Sequence, residues 1–276
     1  MAGDAVDEVG AHYSVGSLDQ VIVTALKESG TDLDALTVED LAPVDHFHLG
    51  GLDATLELVH LADIERGAEI LDVGGGLGGA ARILATRTDA SVTVLDATPE
   101  YCRVGEQLTR MVGLERQIAF RHGDGCAMPF GDASFDVVWM QHANMNIEDK
   151  GTLFAEMYRV LRPNGRVAFH EVMAGPNAPV WFPVPWAARQ SISFLRPPEE
   201  MRDLISIAGL KKVLWNDVTD SALDSWMRRL AAAPQGPPPL STHLLMGLDA
   251  QAKAQNVLRN LVESRITVVQ AVLERP

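Results

Sequence analysis

The residues best suited to chemistry in this 276-residue chain surround a glycine-rich corner. Asp72 is followed by glycines at positions 74, 75, 76, 78 and 79. Glycine lets the backbone turn sharply and approach a ligand at places where a Cβ atom would clash. The apolar run before the corner predicts a strand, and the run after it predicts a helix whose free N–H groups face the ligand. The pattern therefore predicts a nucleotide-binding site.

Two kinds of nucleotide fit this corner. Gly74, Gly76 and Gly79 match the G-x-G-x-x-G fingerprint, so an NAD-dependent dehydrogenase is one interpretation, and a tight turn without a ligand is another. Asp72 argues against the dehydrogenase, since a carboxylate beside the glycines would repel a pyrophosphate but tolerate a cationic ligand. Asp96 ends the next predicted strand, where a carboxylate can accept both hydroxyls of an unphosphorylated ribose.

Further motifs follow in order along the chain: G-D-x-x-x-x-P-F at residues 123–130 and F-D-V-V-W at residues 135–139. Together with D-x-G-x-G and the acidic end of the second strand, they resemble the motifs of class I S-adenosylmethionine-dependent methyltransferases. Residues 159–166 resemble the R-V-L-x-P-G-G turn of that family, with Asn164 in place of the first glycine. The resemblance is strong over residues 65–175. It implies an α/β fold, with a Rossmann-like seven-stranded sheet, helices on both faces and an N-terminal helical lid.

The resemblance implies S-adenosyl-L-methionine as the cofactor and assigns roles to residues around the corner. Asp72 would lie near the ammonium group, Asp96 would bind the ribose diol, and Asp124 would accept from the adenine amino group. A solvated turn is the alternative for Asp124. Tyr13 could reach the cofactor carboxylate or the substrate, and packing under the first helix is its alternative. The cofactor-binding candidates are Tyr13, Asp72, Gly74, Gly76, Asp96, Ala97, Asp124, Gly125 and Gln141.

The segment 141–150 follows the fourth predicted strand, at the sheet edge where α/β proteins bind ligands. It resembles the matching segment of sarcosine/dimethylglycine and phosphoethanolamine N-methyltransferases, but His142 and Asn146 depart from that pattern. His142 is the first candidate for a catalytic base, since an imidazole can take a proton near neutral pH. A histidine that hydrogen-bonds the cofactor loop is the alternative. His170 and Glu171, on the fifth strand, are the second candidates.

The substrate side is predicted from a histidine-containing loop and a proline-rich flap. The prolines between residues 175 and 186 exclude a regular helix or a central strand. Aromatic side chains of the flap could line an apolar pocket or enclose a cationic amine, and sealing the sheet is their alternative role. The pair His46 and His48 is only a two-ligand pattern, so no metal is expected. The substrate-binding candidates are His48, Asn146, Trp181 and Trp186.

The elements that must position these residues fall into two parts. Residues 1–65 are predicted as the N-terminal helical lid, with Ser17 and Gln20 as a capping box. Residues 66–276 are predicted as the Rossmann-like domain, with a substrate flap at about 175–197 and a helical insertion at about 220–264. The alternation of strands and helices predicts a parallel sheet covered on both faces. One long helix is expected at 241–264, before a last strand that pairs with the sixth.

The composition of the chain limits the classes of function that are expected. A net charge of −14 disfavours binding to nucleic acid or to anionic membranes. Two cysteines suit the reducing cytoplasm, and the acidic N-terminus lacks the apolar core of a secretory signal. The expectation is therefore a cytoplasmic enzyme that transfers a methyl group to a small molecule by in-line displacement, with its oligomeric state open. The resemblance favours an amine nitrogen as acceptor, a hydroxyl oxygen is the alternative, and the dehydrogenase is a distant one.

Overall fold

A computed structural model of the protein describes residues 8, 10–13, 16–232 and 238–276. One sheet has the order β3-β2-β1-β4-β5-β7-β6. Its strands are β1 (Glu69–Val73), β2 (Ser91–Asp96), β3 (Ile118–His122), β4 (Phe135–Gln141), β5 (Leu161–Ala174), β6 (Lys211–Asp217) and β7 (Ile266–Glu274). The expected seven-stranded Rossmann-like sheet is confirmed.

The sheet is mixed: the parallel arrangement that the alternation of strands and helices predicts holds for β1 to β5, whereas β7 is reversed. The pairs among β1 to β5 are parallel, whereas β7 runs antiparallel between β5 and β6. The chain between β6 and β7 contributes residues to the cavity at the carboxyl edge of the sheet, so β7 starts from the edge where β6 ends. A strand that starts at the edge where β6 ends must run antiparallel to β6. The expected pairing of the last two strands is confirmed.

Besides the helical residues 8 and 10–13, the described part of the chain has three helices before β1 and seven after it. The first three are α1 (Leu18–Glu28), α2 (Val38–Asp45) and α3 (Gly51–Ala62). The others are α4 (Gly79–Thr88), α5 (Pro99–Met111), α6 (Lys150–Val160), α7 (Pro198–Ile207), α8 (Thr219–Ala232), α9 (His243–Met246) and α10 (Ala250–Val262). No described helix has the length and apolarity needed to cross a bilayer. The division into a lid and a main domain at residue 65 stays a prediction.

The core lies on both faces of the sheet. On one face α6 and α7 bury Phe154, Met157 and Met201 against β4, β5 and β7. On the other face α3 and α4 bury Leu58 and Leu84 against the same sheet. Helices therefore cover both faces, as expected, and the carboxyl edge of the strands is left for a site.

Two local predictions about helices are wrong. Ser17 has a φ of 56° and makes no side-chain cap, so there is no capping box at α1. The backbone N–H groups of Gly16 and Leu18 instead donate to the Glu100 carboxylate, so a tertiary contact replaces the local cap. The long helix expected at 241–264 is interrupted after α9 by a 3₁₀ turn at Gly247–Asp249, where Gly247 has a φ of 72°.

A buried ion pair fixes the end of α2 on α4. Arg82 Nη2 lies 2.7 Å from Asp45 Oδ2, and both side chains are at most 1% exposed. Arg82 also donates to the Thr109 hydroxyl and to the Leu77 carbonyl oxygen. A Cβ atom at Gly79 would lie 2.5 Å from the Asp45 carbonyl oxygen, so the close approach of the two helices requires glycine there.

Asp45→Asn is expected to lower the free energy of unfolding by about 3–5 kcal/mol, because it leaves the Arg82 guanidinium buried without a counter-charge. The measurement is chemical denaturation followed by circular dichroism. The control is Asp89→Asn, which breaks the exposed Arg66–Asp89 pair and should cost less than about 1 kcal/mol. Equal losses in the two variants would show that the buried pair does not hold α2 in place.

Candidate functional site

The carboxyl ends of β1, β2 and β4 open into a cavity of about 550 Å³. The sheet edge forms one wall, and the segments before β1 and between β6 and β7 form the others. The structure brings almost all of the predicted site residues to this cavity. Those that line it are Tyr13, His48, Asp72, Gly74, Gly76, Asp96, Ala97, Asp124, Gly125, Gln141, His142, Asn146 and Trp186.

The glycines of the corner are required by close contacts. A Cβ atom at Gly74, where φ is 70°, would lie 2.3 Å from the Ala143 Cβ. A Cβ atom at Gly75 would lie 2.4 Å from Asp72 Oδ2. Any larger residue would therefore push the corner away from the acid or from the chain after β4. Gly75, which the fingerprint leaves unspecified, lines the cavity as well.

Asp72 is a buried carboxylate at the end of β1. The residue is 1% exposed, and its Oδ2 atom has no hydrogen-bond partner among the described residues. Burial, followed by the charge of Asp96, raises the pKa of the Asp72 carboxyl to about 8. An ionised carboxylate in such a place is stabilised by a cation or by hydrogen-bond donors, so the corner favours a positively charged group.

Asp96 is held in one orientation at the end of β2. Its Oδ2 accepts from the Gly76 N–H at 2.9 Å, and its Oδ1 accepts from the Thr98 N–H at 2.8 Å. Burial raises the pKa of this carboxyl, although the two backbone donors act in the opposite direction. Each carboxylate oxygen keeps a second acceptor site, so Asp96 can still receive two hydroxyl groups.

Asp124 and Gly125 form the third side of the corner. Asp124 Oδ1 accepts from the Cys126 N–H at 2.8 Å. This hydrogen bond belongs to a turn, which is the alternative role predicted for Asp124. The residue also lines the cavity, so the turn and a ligand-facing role are compatible. A Cβ atom at Gly125 would lie 3.2 Å from both Leu153 Cδ1 and Val73 Cγ1, so glycine keeps this wall flat.

Four histidines gather beside the corner. The His142 and His170 rings stack with centroids 5.1 Å apart and an angle of 2°, and His48 meets both rings edge-on. His46 lies edge-on to His48 at 5.6 Å. Among the described residues no group of three His, Cys, Asp or Glu side chains is arranged to hold a metal ion.

His142 projects into the cavity from a strained backbone position. Its φ is 51°, and its backbone N–H donates to the His170 carbonyl oxygen at 2.9 Å. Burial, followed by the charges of His170 and His48, lowers the pKa of His142 well below its usual value. The ring is therefore neutral at pH 7, and its Nε2 has no partner among the described residues. A neutral imidazole with an open nitrogen can accept a proton.

The second candidates for a base differ in their surroundings. His170 Nε2 lies 2.8 Å from the Leu49 carbonyl oxygen and so carries the ring proton, which leaves Nδ1 as an acceptor. Burial lowers the pKa of His170 to about 3. Glu171 accepts from the backbone N–H groups of Ala143 and Asn144, and burial raises its pKa to about 8. Neither side chain is among the residues that line the cavity.

Gln141 and His48 meet at one threonine. Thr55 Oγ1 lies 3.1 Å from Gln141 Oε1, 3.1 Å from His48 Nε2 and 3.2 Å from His46 Nδ1. Trp139 Nε1 also donates to Gln141 Oε1. The Gln141 Nε2 donor has no partner among the described residues, so it is available to a ligand.

Tyr13, Asn146 and Trp186 join the N-terminal segment to the flap. The Tyr13 hydroxyl donates to Asn146 Oδ1 at 2.9 Å, and Asn146 Nδ2 donates to the carbonyl oxygens of Trp186 and Ile192. Tyr13 also packs on Tyr101 at 5.8 Å between centroids. Tyr13 thus lines the cavity while its ring packs on α5, and its role toward the cofactor or the substrate stays a prediction.

Trp181, which was predicted to bind substrate, does not line the cavity. Its ring is 39% exposed and lies under the guanidinium groups of Arg259, at 3.9 Å, and Arg265, at 4.7 Å. Its Nε1 donates to Glu263. In the flap, Trp181 points outwards and Trp186 points inwards. Because the flap is irregular, it has no helix or strand periodicity from which the sequence could predict these two directions.

Several lining residues were missed by sequence reasoning. Six of them come from the chain between β6 and β7, where the sequence gives one signal: Trp226 and Arg229 are three residues apart on α8 and so share a face. Nothing in the sequence shows that this face covers the cavity. The missed residues include Phe47, Tyr101, Met145, Trp226, Arg229, Thr242, Leu245, Met246 and Val257.

Residues 71–169, which hold the glycine corner and the segment after β4, match the family model described as a methyltransferase domain. This stretch, which is less than half of the chain, is similar to a methyltransferase domain. The match begins within β1, ends within β5 and holds most of the cofactor-side candidates, whereas the N-terminal helices and α7 to α10 lie outside it.

Two named N-methyltransferases are similar to this chain in sequence. A glycine/sarcosine/dimethylglycine N-methyltransferase of Actinopolyspora halophila is 33% identical over 158 residues, which are 57% of this chain and 28% of that protein. Phosphoethanolamine N-methyltransferase 3 of Arabidopsis thaliana is 27% identical over 183 residues, which are 66% of this chain and 37% of that protein. The chain thus spans less than half the length of these curated relatives.

A solved structure matches the fold along nearly the whole chain. Geranyl diphosphate C-methyltransferase of Streptomyces coelicolor A3(2), solved with Mg²⁺, geranyl diphosphate and S-adenosyl-L-homocysteine, is 16% identical with a TM-score of 0.71. The match covers 99% of this chain and 98% of that chain. The helices between β6 and β7 therefore belong to a fold already seen around a methyltransferase domain.

His48→Gln is expected to make the stability of the protein less sensitive to acid. Burial lowers the pKa of His48 to about 3, so its neutral form stabilises the fold above pH 6.5, and this contribution is lost as the pH falls. Between pH 7 and pH 5 the wild type should lose about 2 kcal/mol more than the variant, measured by urea denaturation at both pH values. The control, exposed His60→Gln, should keep the wild-type pH dependence. An unchanged pH dependence in His48→Gln would mean that His48 is solvated.

Proposed function

We propose that the protein transfers a methyl group from S-adenosyl-L-methionine to a small molecule, with an amine nitrogen as the first choice of acceptor atom. The observation that carries the proposal is the buried carboxylate of Asp72 beside the glycine corner, whose Oδ2 atom has no hydrogen-bond partner among the described residues. S-adenosylmethionine has an ammonium group in its amino acid part and a positively charged sulfur. Such a ligand would stabilise the ionised form of this carboxyl, whereas the pyrophosphate of NAD would be repelled by it.

The residues of the corner fit this cofactor. Asp72 would hold the ammonium group, and Gly74 and Gly75 let the backbone pass close to the amino acid part. Asp96 is fixed by two backbone donors and keeps acceptor sites for the ribose hydroxyls. Asp124 would accept from the adenine amino group. When bound, the cofactor supplies an electrophilic methyl group.

Residues of the chain would orient the acceptor and accept the proton that it loses. Methyl transfer needs the nucleophile in line with the methyl group and needs water kept out. Phe47, Met145 and Trp186 provide apolar walls beside the corner. The neutral His142 ring, with its open Nε2, would take a proton from an acceptor that carries one.

The choice of a nitrogen acceptor is supported by the sequence relatives. The glycine/sarcosine/dimethylglycine and phosphoethanolamine enzymes are N-methyltransferases by name, and their matches include the segment after β4. A hydroxyl oxygen is the second candidate. It is favoured by the neutral imidazole of His142, because a hydroxyl must lose its proton as the new bond forms whereas a free amine need not.

We also propose the cytoplasm as the location of this activity. Cys102 and Cys126 are both free thiols, as suits a reducing compartment. The net charge of −14 supports a small-molecule acceptor rather than nucleic acid.

Binding of S-adenosylhomocysteine at pH 7 is expected to release a proton. The pKa of Asp72 is about 8 in the free protein, and a bound ammonium group lowers it, so affinity should rise with pH from 6 to 8. Isothermal titration calorimetry in two buffers of different ionisation enthalpy measures the release. Asp72→Asn should show no release and about 10- to 100-fold weaker binding, whereas Asp53→Asn, on the exposed side of α3, should behave as wild type. Binding by the wild type without proton release would remove Asp72 from the site.

Incubation with methyl-labelled S-adenosylmethionine and a metabolite extract is expected to yield a labelled small molecule, identified by mass spectrometry. An N-methyl product supports the first choice and an O-methyl product the second. Asp96→Ala should lose most of the label, because cofactor binding weakens by about 10- to 100-fold when a charged hydrogen bond is removed. If the protein binds S-adenosylhomocysteine and labels nothing, it is a binding module, and the proposed activity is wrong.

A further inference from the structure

The glycine corner carries carboxylates that no described cation pairs with. Asp72, Asp96 and Asp124 line the cavity, and none of them forms an ion pair with a described residue. Asp45 lines the cavity as well, but it is paired with Arg82. Asp72 is 1% exposed and Asp96 is 8% exposed, so water and salt screen their charges poorly. The corner therefore has an excess of negative charge whenever these two carboxyls are ionised.

The described bases do little to offset this charge. Arg229 is the only lysine or arginine among the described residues that line the cavity, and it is exposed. Burial and the charge of Asp96 raise the pKa of Asp72, and no described base contributes to that shift. The exposed His122 lowers the pKa of Asp96, but by less than burial raises it. A ligand that balances the corner must therefore bring the positive charge itself.

The donors that face a ligand beside the corner are neutral. The Tyr101 hydroxyl and the Gln141 Nε2 atom are buried, belong to residues that line the cavity, and have no partner among the described residues. A Cβ atom at Gly76 would lie 3.8 Å from Tyr101 Cδ2, so the tyrosine ring adjoins the glycines. Burial raises the pKa of the Tyr101 hydroxyl well above its usual value, so the hydroxyl keeps its proton. These donors can bind the carboxylate of a ligand without changing the net charge of the corner.

S-adenosylmethionine and S-adenosylhomocysteine differ in the charge that they bring. Both have an ammonium group and a carboxylate at pH 7, and these charges cancel. S-adenosylmethionine has a positive sulfur in addition. In methyl transfer the lone pair of the acceptor forms a bond to the methyl carbon, the bond between that carbon and sulfur breaks, and its electron pair stays on sulfur. One unit of positive charge thereby passes to the acceptor and leaves the corner.

The proposed binding mode puts the sulfur between the two buried acids. The sulfur joins the ribose, which is assigned to Asp96, to the amino acid part, which is assigned to Asp72. β1 and β2 are neighbours and the charge of Asp96 acts on Asp72, so the two carboxyls lie close together. A positive charge between them would be attracted more strongly than in water, because the site is poorly solvated. The adenine, with Asp124, lies on the other side of the ribose from the sulfur.

We propose that this corner distinguishes the cofactor from its by-product by charge, with Asp72 and Asp96 favouring S-adenosylmethionine over S-adenosylhomocysteine. The inference rests on the proposed function for the binding mode, but binding alone can test it. Methyl transfer removes the positive charge that the two acids attract. The by-product is therefore held less tightly than the cofactor, so it leaves readily and inhibits weakly.

The binding test compares three ligands by isothermal titration calorimetry at pH 7. They are S-adenosylmethionine, S-adenosylhomocysteine and sinefungin, in which a carbon bearing an ammonium group replaces the methylated sulfur. The wild type should bind S-adenosylmethionine and sinefungin each about tenfold or more tightly than S-adenosylhomocysteine. In Asp72→Asn and in Asp96→Asn both ratios should fall by about threefold or more. Asp124→Asn is the matched control: it removes a lining carboxylate at the adenine end, so it should weaken all three ligands and leave both ratios within about twofold.

The outcomes of the binding test are distinct. Similar affinities of the wild type for all three ligands, or ratios that survive in both variants, overturn the proposal and leave the cofactor site in place. A preference for S-adenosylmethionine that sinefungin does not share reports contact with the methyl group rather than charge, and it overturns the proposal as well. If none of the three ligands binds, the proposed function is wrong together with this inference.

The turnover test separates this inference from methyl transfer. With S-adenosylmethionine at a saturating concentration, an equal concentration of S-adenosylhomocysteine should lower the labelling rate by about one tenth at most, because the two compete in proportion to their affinities. Inhibition by half would mean equal affinities and would overturn the proposal. No label at all, with charge-selective binding that depends on Asp72 and Asp96, overturns methyl transfer and leaves the charge discrimination in place.

Discussion

The burial of carboxylates at the carboxyl edge of the sheet is the constraint on which the site depends. β1 and β2 lie side by side, so their acidic ends, Asp72 and Asp96, meet in one buried corner. Backbone N–H groups stabilise Asp96, whereas Asp72 Oδ2 has no such donor in the described part of the chain. Burial, followed by the charge of Asp96, raises the pKa of Asp72. Glycine at position 75 is required because a Cβ atom would overlap the Asp72 carboxylate. The corner is thus suited to a ligand that brings its own positive charge.

The same corner is closed by helices that the family model does not include. The Asp45–Arg82 pair fixes α2 on α4, and the loop after α2 brings His48 and the Leu49 carbonyl oxygen to His170. This closure buries the histidine cluster and keeps its rings neutral at pH 7, because a charged imidazole is poorly solvated there. The N-terminal helices therefore set the proton chemistry of the cavity as well as its shape.

One wall of the cavity comes from outside the stretch that matches a methyltransferase domain. The helices between β6 and β7 place Trp226 and Arg229 in this wall, far in sequence from the glycine corner. Because this segment is separate in sequence from the matched stretch, similarity to the family does not by itself identify what the cavity binds.

The sequence by itself determined the sheet, the order of its motifs and nearly every predicted cofactor-side residue that lines the cavity, because these depend on local patterns at strand ends. It did not determine the cap of α1, where Glu100 replaces a capping box, or the outward turn of Trp181. Gly79 fits the fingerprint, but its contact with Asp45 shows a packing role. The histidine cluster and the place of Arg229 in the cavity wall were decided by tertiary structure alone, because each depends on segments distant in sequence that meet only when the helices close over the sheet edge.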